Sequence, residues 1–392
     1  MARISDRNGV MAELTPIMAA VFAGFLLIGL ALPVLPLHLH QQLGFGPFAV
    51  GLVTGSQFVA SMLSRIGAGN YADGRGGKRA VVVGLIAATL AGLFYLGSLA
   101  LLDRPVASAS ALFAGRAVLG ASESFIITGG VAWGLSVAGG QNSGKVIAWV
   151  GTAMFAALAL GAPAGSALYA ASGFTAIALA TIVLPLATLL AILPMRGTSA
   201  VASSAPQSWR SVAKAVWLPG VGAAFSSLGY GAILGFGALL FAERSWQPVW
   251  LPFTAYAASL TVARLCFGHL PDRLGGARVA VIFVAVEAAG LMLIWLATGP
   301  VVAAIGAGLT GLGYSLVYPG LGAEAVGRLP SRSRGLAMGL YTVFLDVALG
   351  FGSPALGLVA ASTGQFVFFA VAAATLPALG IALLLGRRNA PS

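Results

Sequence analysis

Charge is the scarcest property of this chain: Asp, Glu, Lys and Arg together make up 8% of its 392 residues. A water-soluble domain carries about a quarter charged residues because its surface faces water. This chain has too few to cover a globule of its size, which excludes a soluble enzyme, a disordered segment and a nucleic-acid binder. Cysteine is nearly absent. The single Cys266 sits in an apolar run, permits no intramolecular disulfide and reads as inert. Histidine numbers three, and only His38-Leu-His40 invites a metal reading. Residues two apart on a helix point to nearly opposite faces, so the pair chelates only where the helix unwinds; an interfacial or gate role is the other reading. Nucleotide loops are missing as well. Gly311-Leu-Gly313 and Gly350-Phe-Gly352 follow no strand and do not extend to Gly-x-Gly-x-x-Gly. With no Walker motif, ATP is not the energy source within this chain, and no cofactor is expected.

What is present is apolar length. Apolar residues make up 59% of the chain, and the mean hydropathy is +0.96. A helix crossing about 30 Å of hydrocarbon needs roughly 20 apolar residues. Windows of that length predict twelve spans, near 16–39, 47–70, 80–101, 106–136, 145–171, 174–194, 213–241, 248–270, 278–298, 300–325, 335–361 and 365–386. The longest break, 195–212, carries Arg196, Pro206 and Arg210 and divides the chain into 1–194 and 213–392, six spans each. No cleavable signal peptide is expected, since the first apolar stretch exceeds an h-region and has no small-residue cleavage site.

Basic residues give the orientation, because cytoplasmic loops retain Lys and Arg. With the N-terminus inside, sixteen of the 21 basic residues fall on the inner side, Arg75, Lys78, Arg79 and Arg273 among them. Only Arg104 and Arg244 fall outside, each beside an acid, Asp103 or Glu243. Arg65, Arg116 and Arg264 lie within spans. Both termini and the linker are therefore expected in the cytoplasm, and the net charge of +11 is a topology signal.

The chain also repeats itself. Arg65, Gly69, Asp73, Gly76 and Arg79, at the inner end of span 2, recur 199 residues later as Arg264, Gly268, Asp272, Gly275 and Arg278. Gly144, Gly161 and Pro163 recur 191 residues later as Gly335, Gly352 and Pro354. The two halves are duplicates.

Two parallel six-helix repeats are the construction of the major facilitator superfamily, and the motifs resemble that family too. Gly69-x-x-x-Asp73-x-x-Gly76-x-Lys78-Arg79 resembles its loop 2–3 signature, Arg116-x-x-x-Gly120 its proton-antiporter signature, and Gly161-Ala-Pro163-Ala-Gly165 its antiporter Gly-Pro motif. Leu32-Pro33-Val34-Leu35-Pro36, Gly120-Ala-Ser-Glu123-Ser124, Gly313-Tyr-Ser-Leu-Val-Tyr-Pro319 and Phe344-Leu-Asp346 resemble a bacterial branch of efflux permeases described as arabinose-efflux-like. Gly74 departs from the signature, which usually has Arg there, whereas the second half keeps Arg273.

The resemblance implies that Asp73 and Asp272 each meet the N-terminal end of a helix in the opposite half. With Gly69, Arg79 and Arg273 they would latch the cytoplasmic side in the outward-facing state; a charged turn that merely sets orientation is the plainer reading. Gly161 and Pro163 would make span 5 a kinkable helix between the halves, or are ordinary membrane-helix residues. Ionisable groups inside spans cost at least about 2.5–3.5 kcal/mol to insert, so each needs a partner or a task. Arg116 and Glu123, seven apart, share one face of span 4 across a rise of roughly 10 Å. They read as a proton-coupling pair or as a static packing pair. Asp346, near the middle of span 11, faces Phe155 in the repeat alignment; substrate or proton contact competes with a local hydrogen bond. Glu287 lies on span 9, peripheral by analogy, where a structural hydrogen bond is the reading. Glu324 is near the inner end of span 10, within reach of the gate or Arg328. Tyr230, Tyr314 and Tyr318, with Gln57 as a secondary candidate, would line the central cavity by analogy or pack between helices.

The expectation is an all-α membrane protein of twelve transmembrane helices in two six-helix repeats, monomeric, in a bacterial inner membrane. Its partners are a small molecule, protons and the bilayer, with no nucleic acid. The function expected is proton-coupled antiport that exports a drug, sugar or metabolite. Uptake of a sugar or other metabolite by symport or uniport is the alternative. A non-transporting intramembrane enzyme or scaffold is more remote, since it would want a reactive cluster on neighbouring spans.

Overall fold

Backbone polar groups in lipid find partners only within a helix or a closed barrel, and the elements among the described residues are helices. The computed structural model describes residues 7–138, 143–195, 197, 209–327, 329 and 334–388. The helices are α1 (Arg7–Ala31), α2 (Val34–Leu37), a π-helical turn (His38–Gln42), α3 (Pro47–Arg75), α4 (Gly77–Leu99), α5 (Pro105–Ala138) and α6 (Ser143–Ile192). They continue as α7 (Trp209–Glu243), α8 (Leu251–Phe267), α9 (Leu270–Leu274), α10 (Gly276–Trp295), α11 (Pro300–Gly327), α12 (Arg334–Thr363) and α13 (Phe366–Arg388). Of the predicted linker 195–212, residues 196 and 198–208 lie outside the described residues, as do Arg328 and Arg332.

Ten described helices are long and apolar enough to cross a membrane. One of them, α6, is broken at Ser172 and Gly173, where the backbone leaves helical geometry, and α8 adds a shorter apolar segment of 17 residues. The twelve predicted apolar segments are thus all found. Span 1 differs in detail: α1 stops at Ala31, and Pro33 and Pro36 follow before the π-helical turn. The surface is what lipid requires, with Leu63, Ile66 and Val106 each more than 70% exposed. Cys266, on α8, is exposed.

Two compact units divide the chain: Met1–Ala31 with Ala60–Ser203, and Leu32–Val59 with Ser204–Ser392. In the first, α4 packs on α5 and α1 on α6. Small residues let these backbones meet. A β-carbon on Gly161 would lie 2.7 Å from the Gly29 α-carbon, and one on Gly165 would collide with Leu30. The Gly-Pro run thus packs α6 on α1, and helical dihedrals continue through Pro163. Lys78 donates from Nζ to the carbonyls of Leu193 (2.8 Å) and Met195, capping the end of α6, where a cation meets the negative end of the helix dipole. In the second unit Glu324 accepts from the Ala277 N–H (3.0 Å) at the start of α10. Gln365 Nε2 caps the other end of α10 at Ile294 (2.9 Å) and Trp295 (2.7 Å), while Arg244 Nη2 donates to Gln365 Oε1 (2.7 Å).

The repeat is visible in the backbone itself. Gly76 has φ 92°, ψ 146° and Gly275 has φ 87°, ψ 141°, each just before the helix that follows the loop motif. Only glycine visits that region without strain of about 1–3 kcal/mol. Nothing lies within 4 Å of a β-carbon at Gly275, so Gly275→Ala tests conformation alone. A lowered thermal midpoint of the purified protein is the expected result, and an unchanged one would contradict it.

Candidate functional site

In the first unit, α5 carries both residues of the candidate coupling pair. Arg116 is fully buried. The helix turns it toward Tyr95 of α4, whose phenol feels the guanidinium charge, while Gly115 leaves room for that ring. Nε and Nη1 of Arg116 are buried without a hydrogen-bond partner among the described residues. Glu123, two turns along, is half-buried. Arg116 thus lies within the helix packing, while Glu123 is partly exposed.

A second in-span cation, Arg65, is linked through Ser61 to Ser124, the chain neighbour of Glu123. Ser61 of α3 and Ser124 of α5 are joined by their hydroxyls (3.0 Å) and by Ser124 Oγ donating to the Ser61 carbonyl (2.8 Å). Arg65 Nη2 donates to Ser61 Oγ (3.3 Å). Its repeat equivalent Arg264 donates from Nε to the Ser315 carbonyl (3.2 Å) of α11. Ser124 and Ser315 are themselves 191 residues apart; Arg264 bonds the second of them directly, whereas Arg65 bonds Ser61, the hydrogen-bond partner of the first. In-span arginines are costly, and that signal alone could have marked Arg65 and Arg264 as site residues.

The second unit gathers aromatic side chains. Tyr230 on α7 stacks on Tyr256 of α8 (centroids 5.5 Å, 14°) and on Tyr314 of α11 (6.1 Å, 18°). Phe58 of α3 meets Tyr230 edge-on at 6.5 Å. Tyr314 Oη shares a hydrogen bond with Ser227 (2.9 Å). Arg264 acts electrostatically on Tyr256, Tyr314 and Tyr318. Tyr318 turns to α12, bonding Thr342 (2.8 Å) with its hydroxyl, and its carbonyl accepts from the Tyr341 hydroxyl (2.8 Å). Asp346, one helical turn beyond Thr342, is buried, and so is Gln57 on α3. Tyr230 and Tyr314 thus come together, whereas Tyr318 serves the α11–α12 contact. Tyr256 was missed because a tyrosine in an apolar run carries no sign of which helices it faces.

Glu287 on α10 is fully buried. Ser226 donates to its Oε2, a hydrogen bond of the kind expected of it. At the gating positions Asp73, Arg79 and Arg273 are exposed, Gly69 is half-buried, and Asp272 lies within α9. His38 is buried; His40 is half-buried and its Nδ1 is bonded to the Phe45 carbonyl (2.8 Å).

Known proteins resemble this chain in sequence and in fold. The sequence model of the family described as Major Facilitator Superfamily matches residues 17–252. An uncharacterised MFS-type transporter of Escherichia coli, YhhS, is 40% identical over 364 residues, covering 93% of this chain and 89% of its own. Another from Salmonella typhimurium is 39% identical over 374 residues, covering 95% and 96%. Among solved structures, a variant of the nucleoside transporter NupG superposes with a TM-score of 0.74 at 16% identity, over 96% of this chain and 100% of that one. The human organic anion transporter MFSD10 (TETRAN) gives 0.68 at 15% identity, over 95% and 99%. At such identities the structural likeness speaks for the fold alone.

Proposed function

The chain belongs to the Major Facilitator Superfamily, in its YhhS-like branch, and is a multi-pass membrane transporter rather than an enzyme; on that premise we propose that it is a proton-coupled antiporter that exports a small organic molecule. In this reading the halves 1–194 and 213–392, joined by the cytoplasmic linker 195–212, alternate access across a bacterial inner membrane as a monomer. Both termini are cytoplasmic.

One observation carries the coupling. A half-buried carboxyl, Glu123, shares a helix face with a fully buried arginine whose Nε and Nη1 have no hydrogen-bond partner among the described residues. A carboxyl near a fixed cation inside a membrane gains or loses its proton as solvent access changes, since desolvation and the cation act in opposite directions. Asp346, with Tyr230, Tyr314 and Gln57, is assigned to the substrate.

Proteoliposomes with an imposed pH gradient and an internal pH dye test this against a panel of drugs, sugars and metabolites. Antiport moves protons opposite to a transported compound. Proton movement in the same direction would establish symport instead, and transport without proton movement a uniporter.

The latch gives a ranked expectation. A contact present in one state only biases the equilibrium toward that state, so neutralising Asp73 or Asp272 should raise the inward-facing population. Asp272→Asn should shift it more than Asp73→Asn, because Gly74 leaves the first motif without the basic residue that Arg273 supplies to the second. Distances between spin labels on the two cytoplasmic halves read this out, and equal shifts would refute the ranking.

A further inference from the structure

We propose that Glu287 is a second proton-binding residue of this transporter, and that Tyr256 is the donor that receives its carboxylate when the proton leaves. The role as a coupling residue rests on the transport reading above; the protonation itself does not.

Alignment of the repeats sets Glu287 beside the counterpart of Glu123. The offset of 191 that relates the halves also sets Gly115, Gly120 and Gly129 of α5 on Gly306, Gly311 and Gly320 of α11. It brings Glu123 onto Tyr314. The second half has a tyrosine rather than an acid at that position, and Glu287 of the adjoining helix α10 acts electrostatically on that same Tyr314. The close approach of α10 and α11 is made by Gly313, where a β-carbon would lie 2.6 Å from the Glu287 α-carbon.

The surroundings hold a proton better than a charge. Helix α7 contributes one neutral donor, the Ser226 hydroxyl on Oε2, and Gly229, where a β-carbon would lie 2.6 Å from Oε1. The phenols of Tyr256 and Tyr314 act on Glu287 from α8 and α11, and Arg264 acts on those two phenols. Helix α13 also packs on α10, but its ionisable residues are Arg387 and Arg388 at its end. Asp272 and Arg273 of α9 and Arg278 lie at the start of α10, at least nine residues from Glu287. Among the described residues Glu287 Oε1 has no hydrogen-bond partner, and neither has the buried hydroxyl of Tyr256. A carboxylate accepts about four hydrogen bonds, and burying one with a single neutral donor leaves its charge largely uncompensated. The neutral acid avoids this. A movement that turns the Tyr256 hydroxyl to Oε1 and admits water reverses the balance: the proton passes to water, and the phenol donates to the new carboxylate. Because the Tyr256 ring stacks on half-buried Tyr230, the protonation state of Glu287 reaches a residue assigned to substrate.

Infrared spectroscopy of the full-length purified protein, without substrate, reads this directly. The wild type should show the carbonyl stretch of an un-ionised carboxylic acid that is lost as pH rises. Glu287→Gln should lack that band, and Glu123→Gln should keep it. Tyr256→Phe, which removes the waiting donor, should keep the band at pH values where the wild type has lost it. If Glu287→Gln does not fold, Glu287→Asp should move the band instead of deleting it. A spectrum identical in wild type and Glu287 variants overturns the proposal, as does a Glu287 band that persists up to the pH of unfolding. Either result leaves proton-coupled export standing, whereas failure of the proteoliposome assay counts against export alone.

Discussion

Glu123→Gln is expected to reduce pH-gradient-driven transport to the level of empty vesicles while substrate binding survives. Gln keeps the shape and the hydrogen bonding of Glu but cannot titrate, so it separates the proton from the fold. Among the acids of the spans, Glu123 combines partial exposure with a cation on the same helix face, since Asp346 and Glu287 are buried. Binding, read as ligand-induced thermal stabilisation, should also lose its pH dependence in this variant. Asp346→Asn should instead weaken binding. If Glu123→Gln still pumps against a gradient and Asp346→Asn abolishes proton movement, the two roles are exchanged.

The second large effect is on folding. Gly165→Val should lose most of the folded protein, because its first side-chain carbon would fall on the backbone of Leu30, with Gly161 and Gly29 in similar contact one turn away. Overpacking of a close-packed interior costs about 1–3 kcal/mol, and more where backbone rather than a flexible side chain must move. Here both sides are backbone. Gly67→Ala is the control, since nothing lies within 4 Å of a β-carbon there; it should be neutral or gain up to about 1 kcal/mol of helix propensity. Detergent-solubilised yield and thermal midpoint measure both. A Gly165→Val protein as stable as the control would mean that α1 and α6 are not held as described.

The candidate coupling pair shows how far the sequence reached. That Arg116 and Glu123 share a face follows from a spacing of seven residues, and the structure keeps both on one unbroken helix. That the guanidinium turns to Tyr95, 21 residues earlier on α4, has no local signal. Glu287 went the same way. Its span reads as peripheral, and the sequence does not show that the side chain is fully buried, with Ser226 and Gly229 of α7 and Gly313 of α11 against it.

The sequence by itself determined where the chain is apolar for a membrane's thickness and that it is two copies of one six-helix unit. Both are properties of a linear sequence: a run length set by the bilayer, and a motif repeated at fixed offsets. Only the tertiary structure decided which face of each helix is inside. In water, polarity marks the outer face of a helix. In lipid, the solvent is as apolar as the protein core, so hydropathy is the same all round. The inner face is then chosen by where small residues let two backbones touch and where a rare polar group finds its partner, and both depend on helices far apart in the chain.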